Sequence, residues 1–172
     1  ANVAPANLNE TIKQAVFSEG VRHPEIRIET QLPSSDVICE FDERLISQVL
    51  TNLIKNASES LESTEDFKGR VPKICVSAEV VDNDIVVKVE DNGNGWPKDN
   101  RSRLLEPYMT TRGKGTGLGL AIVSKIIEQH GGTVELQDAQ PDENGKVGAC
   151  FRFTLPRSHK TTAQQILIKD ED

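Results

Sequence analysis

Residues 42–63 read DERLISQVLTNLIKNASESLES. Leu45, Ile46, Val49, Leu50, Leu53, Ile54, Ala57 and Leu61 form one apolar stripe at helical spacing, with Asp42 placed to cap the N-terminus. Asn52 and Asn56 are one turn apart and share a face. At about 100° per residue both fall on the border of the stripe, as does Glu59, while Lys55 points to water. Asn is a poor mid-helix residue, so two of them need a reason. A border position overlooks whatever packs beside the helix and can line a cleft. An amide oxygen there is a hard, neutral ligand suited to a Mg²⁺ that also touches phosphates. A pair of helix-surface amides is the plain alternative.

Upstream, Leu8–Gly20 reads as a short helix, capped by Asn7 or Asn9 and stopped at Gly20. Ile26–Leu32 alternates as a half-buried strand does, and Val37–Phe41 continues after a Pro-Ser-Ser-Asp turn. Downstream, Thr64–Pro72 is a polar loop. Lys73–Val81 and Ile85–Glu90 read as a hairpin turned at Asp82-Asn83-Asp84. Asp91–Gly117 is a long Gly-rich stretch of the sort that carries function or disorder. Leu118–His130 is a second strong helix, with Ile122, Val123, Ile126 and Ile127 inward and Gly131-Gly132 at its end. Thr133–Gln137 and Val147–Leu155 are the last strands. The order predicts an α/β fold: a two-layer sandwich, a mixed sheet with helices on one face. Residues 1–157 are expected to form one domain, and 158–172, with a small apolar island at Ile166-Leu167-Ile168, a flexible polar tail.

The chain has 172 residues, 36% hydrophobic and 27% charged, enough for one core without staples. No apolar run approaches the ~20 residues that cross a bilayer, and no signal peptide opens it. Starting at Ala1 without Met, it reads as a piece of a longer protein. The net charge of −7 disfavours nucleic acid as a partner. The three cysteines, Cys39, Cys75 and Cys150, lie far apart in strand-like runs and suggest small buried hydrophobes in a reducing cytosol.

Two more stretches suggest chemistry. Asp91-Asn92-Gly93-Asn94-Gly95 directly follows a strand. Its glycines allow backbone to approach a ligand, and a carboxylate at a strand end can accept from an exocyclic amine such as that of adenine. An ordinary Asp-Asn-Gly turn looks the same. Residues 110–120, TTRGKGTGLGL, run into a helix. Glycines and backbone N–H groups at a helix N-terminus make an anion site, and Arg112 and Lys114 add positive charge against the acidic whole. A Walker A loop is excluded because Gly115, not Ser or Thr, follows Lys114. A dinucleotide fingerprint is excluded because Leu118 and Leu120 stand where it needs glycine. The remaining alternative is a flexible linker.

Taken in order, these stretches resemble the GHKL ATPases. Asn52-Leu-Ile-Lys-Asn56-Ala57 resembles their N box and Asp91-Asn-Gly93-Asn-Gly95 their first glycine box. Leu105-Glu-Pro107-Tyr108-Met-Thr-Thr111 resembles the F box, and Gly115-Thr-Gly117-Leu-Gly119-Leu120 the second glycine box. The fold implied is the Bergerat type. Within the superfamily the wording is most similar to bacterial sensor histidine kinases of nitrogen regulation, the NtrY type above all and the NtrB type next.

The resemblance implies ATP and Mg²⁺ as cofactors. Asn56 would hold Mg²⁺, supported by Asn52. Asp91 would read the adenine amine, helped by a water near Gly95, with Gly93 in the same turn. Arg112 and Lys114 would meet the terminal phosphates. Gly115, Thr116, Gly117, Leu118, Gly119 and Leu120 would wrap the triphosphate, Tyr108 and Thr111 would belong to the lid, and Glu59 and Ser60 would touch phosphate or ribose. Two departures stand out. Trp96 occupies a position where Ile or Met is usual. Gly148-Ala149-Cys150 replaces Gly-Thr-Thr, which removes a hydroxyl behind the adenine-reading Asp.

The family's phosphoacceptor sits in a dimerising helical hairpin, in a His-Glu or His-Asp context. His23, His130 and His159 have no such context, so no catalytic residue of the acceptor kind is expected here. The implied partners are the missing hairpin, a downstream response regulator, and a second copy of the parent through that hairpin. The implied location is a cytoplasmic domain of an inner-membrane parent. An ATPase clamp of the gyrase type would carry a carboxylate where Asn52 stands. A serine-kinase anti-sigma factor is a second relative, which the lid wording fits less well, and a nucleotide-responsive binding module without kinase activity is an alternative of a different class.

Overall fold

The computed structural model describes residues 1–64, 67, 69–107 and 119–157. The helix quoted first runs Glu43–Glu62 (α2), and the Asp42 side chain accepts from the Leu45 N–H as its N-cap. Its stripe is buried: Ile46, Val49, Leu50, Leu53 and Ile54 are at most 2% exposed. α2 lies between α1 (Leu8–Arg22) and α3 (Gly119–Gln129) and packs on the sheet.

The strands are β1 (Ala4–Asn7), β2 (Arg27–Gln31), β3 (Ile38–Phe41), β4 (Lys73–Val81), β5 (Asp84–Asp91), β6 (Val134–Asp138) and β7 (Ala149–Pro156). Five form a sheet in the order β2-β4-β5-β7-β6. β2 is parallel to β4 and the other pairings are antiparallel, as the mixed-sheet expectation requires. Alternation sets the faces. Ile74, Val76, Ile85, Val87, Val89, Phe151, Phe153 and Leu155 point into the core shared with the helices. Cys75, Glu90 and Cys150 are in register across three strands on the opposite face. That face carries ion pairs such as Lys73–Glu29 at 3.1 Å. The two-layer arrangement therefore holds.

Five local expectations are corrected. α1 passes through Gly20 to Arg22, because the cap forms at His23, whose N–H donates to the Glu19 and Gly20 carbonyls. β1 has no counterpart in the sequence reading. It is short, exposed in its first half and contains Pro5, and it pairs antiparallel with β3 in a separate two-stranded sheet. The Asp91–Gly117 stretch contains a 3₁₀ turn, Arg101–Leu105. Ile122 is 39% exposed, while Val123, Ile126 and Ile127 are buried. Cys39 and Cys150 are buried free thiols, as expected, but Cys75 is only half-buried on the open face. Among the described residues no helix is long and apolar enough to cross a membrane. The tail expected at 158–172 lies outside the described residues.

Candidate functional site

β5 is the central strand, and its last residue, Asp91, emerges under the C-terminal half of α2. One cavity of about 170 Å³ joins the two elements, lined by Asn56, Ser60, Ser63, Asp91, Asn94, Gly95, Trp96, Pro97 and Ala149. Its size is below the ~300–1,000 Å³ of a site that encloses a whole ligand, so it suits one end of a nucleotide. Another cleft, of about 560 Å³, opens on the uncovered sheet face near Ser77 and Lys88, away from these groups.

The Asp91 carboxylate is tightly placed. Its Oδ1 accepts from the Gly93 N–H at 2.9 Å and the Ala149 N–H at 3.4 Å, and the residue is 7% exposed. Two glycines make this possible. A Cβ on Gly148 would lie 1.9 Å from the Asp91 carbonyl oxygen, so only glycine lets the β6–β7 loop touch this backbone. A Cβ on Gly93 would lie 3.1 Å from the Ser60 and Thr64 hydroxyl oxygens. Gly95 has φ +83, the left-handed region that favours glycine. Ala149 has no side-chain hydroxyl and meets the carboxylate through its backbone N–H.

The next residue, Asn92, is a hinge pin. Its Oδ1 accepts from the Lys73 N–H at 2.8 Å, and its Nδ2 donates to the Val71 carbonyl at 2.9 Å. Arg70 donates to the Asn92 carbonyl at 3.0 Å and to Asp142 Oδ2 at 2.9 Å, and its guanidinium stacks 4.5 Å over the Phe67 ring. Asp142 Oδ1 accepts from the Asn144 and Lys146 N–H groups, each at 2.9 Å. Burial alone would push Asp142 up, but these hydrogen bonds from Lys146, Arg70, Asn144 and Asn92 hold it below its ordinary value. Two separate loops, at 70–71 and at 142–146, thus converge on the turn that follows Asp91. Burial, with the charge of Glu90 next, pushes the neighbouring Cys150 thiol up to about 12, so it stays a neutral packing group.

The cavity brings together Asn56, Ser60, Asp91 and Gly95 of the predicted site. Gly93 adjoins it through the Asp91 carboxylate. Asn52 and Glu59 are half-buried on the border of α2, as the helical spacing requires, but do not line this cavity. Gly119 and Leu120 open α3. Tyr108, Thr111, Arg112, Lys114, Gly115, Thr116, Gly117 and Leu118 lie outside the described residues. Sequence reading missed Ser63, Asn94 and Pro97 as cavity residues. Ser63 was within reach, since it continues the Asn56–Ser60 face by three residues. Arg70 and Asp142 were not, because nothing local pairs two loop residues 72 positions apart.

The histidines are structural where they are described. His23 caps α1. His130 is 3% exposed; its Nε2 accepts from the Asp42 N–H at 3.0 Å and its Nδ1 lies 2.8 Å from the Ile126 carbonyl. That geometry defines the neutral tautomer with the proton on Nδ1 and ties the end of α3 to the start of α2.

Residues 41–159 match the family model of histidine kinase-, DNA gyrase B-, and HSP90-like ATPases. Nitrogen regulation protein NtrY of Azorhizobium caulinodans is 47% identical over 162 residues, covering 91% of this chain and 20% of that protein. The chain spans about a fifth of the length of such curated relatives. Among solved structures, the nucleotide-free catalytic domain of histidine kinase ThkA superposes with a TM-score of 0.77 at 30% identity, covering 93% of this chain and 99% of that one. ThkA in complex with response regulator protein TrrA gives a TM-score of 0.71 at 30% identity, covering 92% of this chain and 42% of that one.

Proposed function

The chain belongs to the family of histidine kinase-, DNA gyrase B-, and HSP90-like ATPases, and from that premise we propose that it binds Mg-ATP and donates the γ-phosphate to a histidine on a separate dimerisation domain, in two-component signalling. The observation that carries this reading is the shared cavity of Asn56, Ser60 and Asp91. It joins an amide on a helix to a carboxylate at a strand end, 35 positions later in the chain (91 − 56).

The donor set suits the cofactors. A neutral amide with a nearby hydroxyl is a sparse protein ligand set, and Mg²⁺ prefers to keep waters and substrate phosphates as its other ligands. Asn56 would hold the ion, which when bound neutralises phosphate charge. Asp91, oriented by the Gly93 and Ala149 amides, accepts from the adenine amine. Asn52, Glu59 and Ser60 extend the same helix face toward ribose and phosphates. Arg112, Lys114 and the backbone of 115–120, with Tyr108 and Thr111 in the lid, complete the triphosphate side. Phosphoryl transfer needs placement and charge neutralisation more than covalent help, so these roles suffice on the donor side.

The acceptor lies elsewhere. His23 and His130 are committed to capping and packing, and His159 lacks the His-Glu or His-Asp context of the family's acceptor, so the phosphoacceptor belongs to a helical hairpin of the parent, which also makes the parent a dimer. A response regulator takes the phosphoryl group next, the kind of partner named with ThkA. The nitrogen-regulation branch, residues 1–157 as the catalytic unit and an inner-membrane parent complete the proposal. An ATPase clamp is disfavoured by Asn52, since an amide cannot act as the base that activates water.

Calorimetry with Mg²⁺ and a non-hydrolysable ATP analogue tests the reading. Saturable heat is expected, and the double variant Asn56→Ala/Asp91→Ala should abolish it. Undiminished affinity in that variant would falsify the site. Adding the cognate hairpin should yield phosphohistidine on the hairpin, and the domain alone should yield none.

A further inference from the structure

Trp96 is the one tryptophan of the chain, and it forms part of the cavity wall beside Gly95, Pro97 and Ala149. Its indole N–H donates to the Cys150 carbonyl at 3.1 Å. The side chain is half-buried and packs against the core without belonging to it. A tryptophan with its polar edge satisfied and one flank packed is held in place before any ligand arrives. Contact with it then costs little further ordering. The Cys150 carbonyl that holds it lies on β7 one residue beyond Ala149, whose N–H contacts the Asp91 carboxylate. The aromatic wall and the carboxylate are therefore braced by adjacent residues at the start of β7, the one by Cys150 and the other by Ala149.

We infer that Trp96 is a base-contacting specificity residue, whose indole packs on the purine ring while Asp91 reads its edge. This rests on reading the cavity as the nucleotide site. An aliphatic side chain at this position would offer only apolar area. A fused aromatic offers a π-face as well, which favours a large flat base over a smaller one. Base–aromatic stacking corresponds to about 5- to 150-fold in affinity.

The single tryptophan makes the test direct. The intact domain is titrated with Mg-ADP, Mg-CDP and Mg-tripolyphosphate, following tryptophan emission and, in parallel, calorimetric heat. With Mg-ADP the emission should change and saturate at the calorimetric dissociation constant. Tripolyphosphate, which has no base, should leave emission unchanged, and CDP should bind more weakly than ADP. Trp96→Leu should weaken Mg-ADP binding by about 5-fold or more, while Trp96→Phe should recover most of that loss. Heat from ADP with unaltered emission would overturn the inference. So would an equal emission change from tripolyphosphate, or Trp96→Leu binding within twofold of the parent. Absence of heat with every nucleotide would remove the nucleotide reading itself and this inference with it. Calorimetry does not depend on Trp96, so the two failures are distinguishable. Should Trp96→Leu fail to fold, the emission titrations of the unaltered protein decide the matter.

Discussion

On one wall of the cleft, built by the end of β5 and the loop between β6 and β7, recognition and folding use the same groups. On the other, built by α2, they use different ones. Asp91 is held by two backbone N–H groups, its neighbour Asn92 by β4 and by Arg70, and Arg70 by Asp142, all in a largely buried cluster. Asn56 and Ser60 instead sit half-exposed on a helix whose inner stripe is already buried without them. The strand wall should therefore fail as a unit, while the helix wall should lose binding and keep its fold.

The largest effect is expected from Gly148→Val. The new Cβ would meet backbone 1.9 Å away, which no rotamer relieves. A destabilisation of about 3 kcal/mol or more is expected, the upper range for forced overpacking, with nucleotide binding lost in parallel. Urea unfolding followed beside calorimetry checks it. Stability within about 1 kcal/mol of the parent, with binding intact, would mean that loop and turn are not interlocked.

A smaller effect is expected in acid. Asp142 has a depressed folded-state pKa, so its contribution is fully present above the unfolded value of about 4 and is lost as pH falls through the folded value. Replacing it with Asn removes that dependence. Between pH 7 and pH 5 the difference in stability between the parent and Asp142→Asn should be constant. Below about pH 4 the two should converge. A gap that stays constant down to pH 2 would show that the carboxylate charge does not support the cluster.

The same contrast explains what could be read from sequence. The helix wall follows from a local period: the stripe places Leu53 and Ile54 in the core and leaves Asn52 and Asn56 on its border, which is where the structure has them. The Asp91 turn was visible because a strand pattern ends in a Gly-rich stretch. The support behind that turn was not, because Arg70, Asn92 and Asp142 belong to three loops with no shared period. β1 escaped for a similar reason, since its ladder partner is a strand about 34 residues away. The glycine at 148 reads locally as a loop residue, and its necessity appears only when the Asp91 backbone is seen beneath it.

The smallest effect, Lys55→Ala, is the most exacting check of the helix wall. Lys55 is exposed on α2, one residue before Asn56 and about 100° around the helix from it. Ala is the better helix former and Lys close behind, so stability should change by no more than about 0.5 kcal/mol. Mg-nucleotide affinity should stay within about twofold, since the ammonium is directed to water where charges are screened. A tenfold loss of affinity in Lys55→Ala would rotate the binding face toward solvent and contradict the border assignment. Retained affinity there, set against the loss expected on removing Asn56, confines the share of recognition carried by α2 to one edge of that helix.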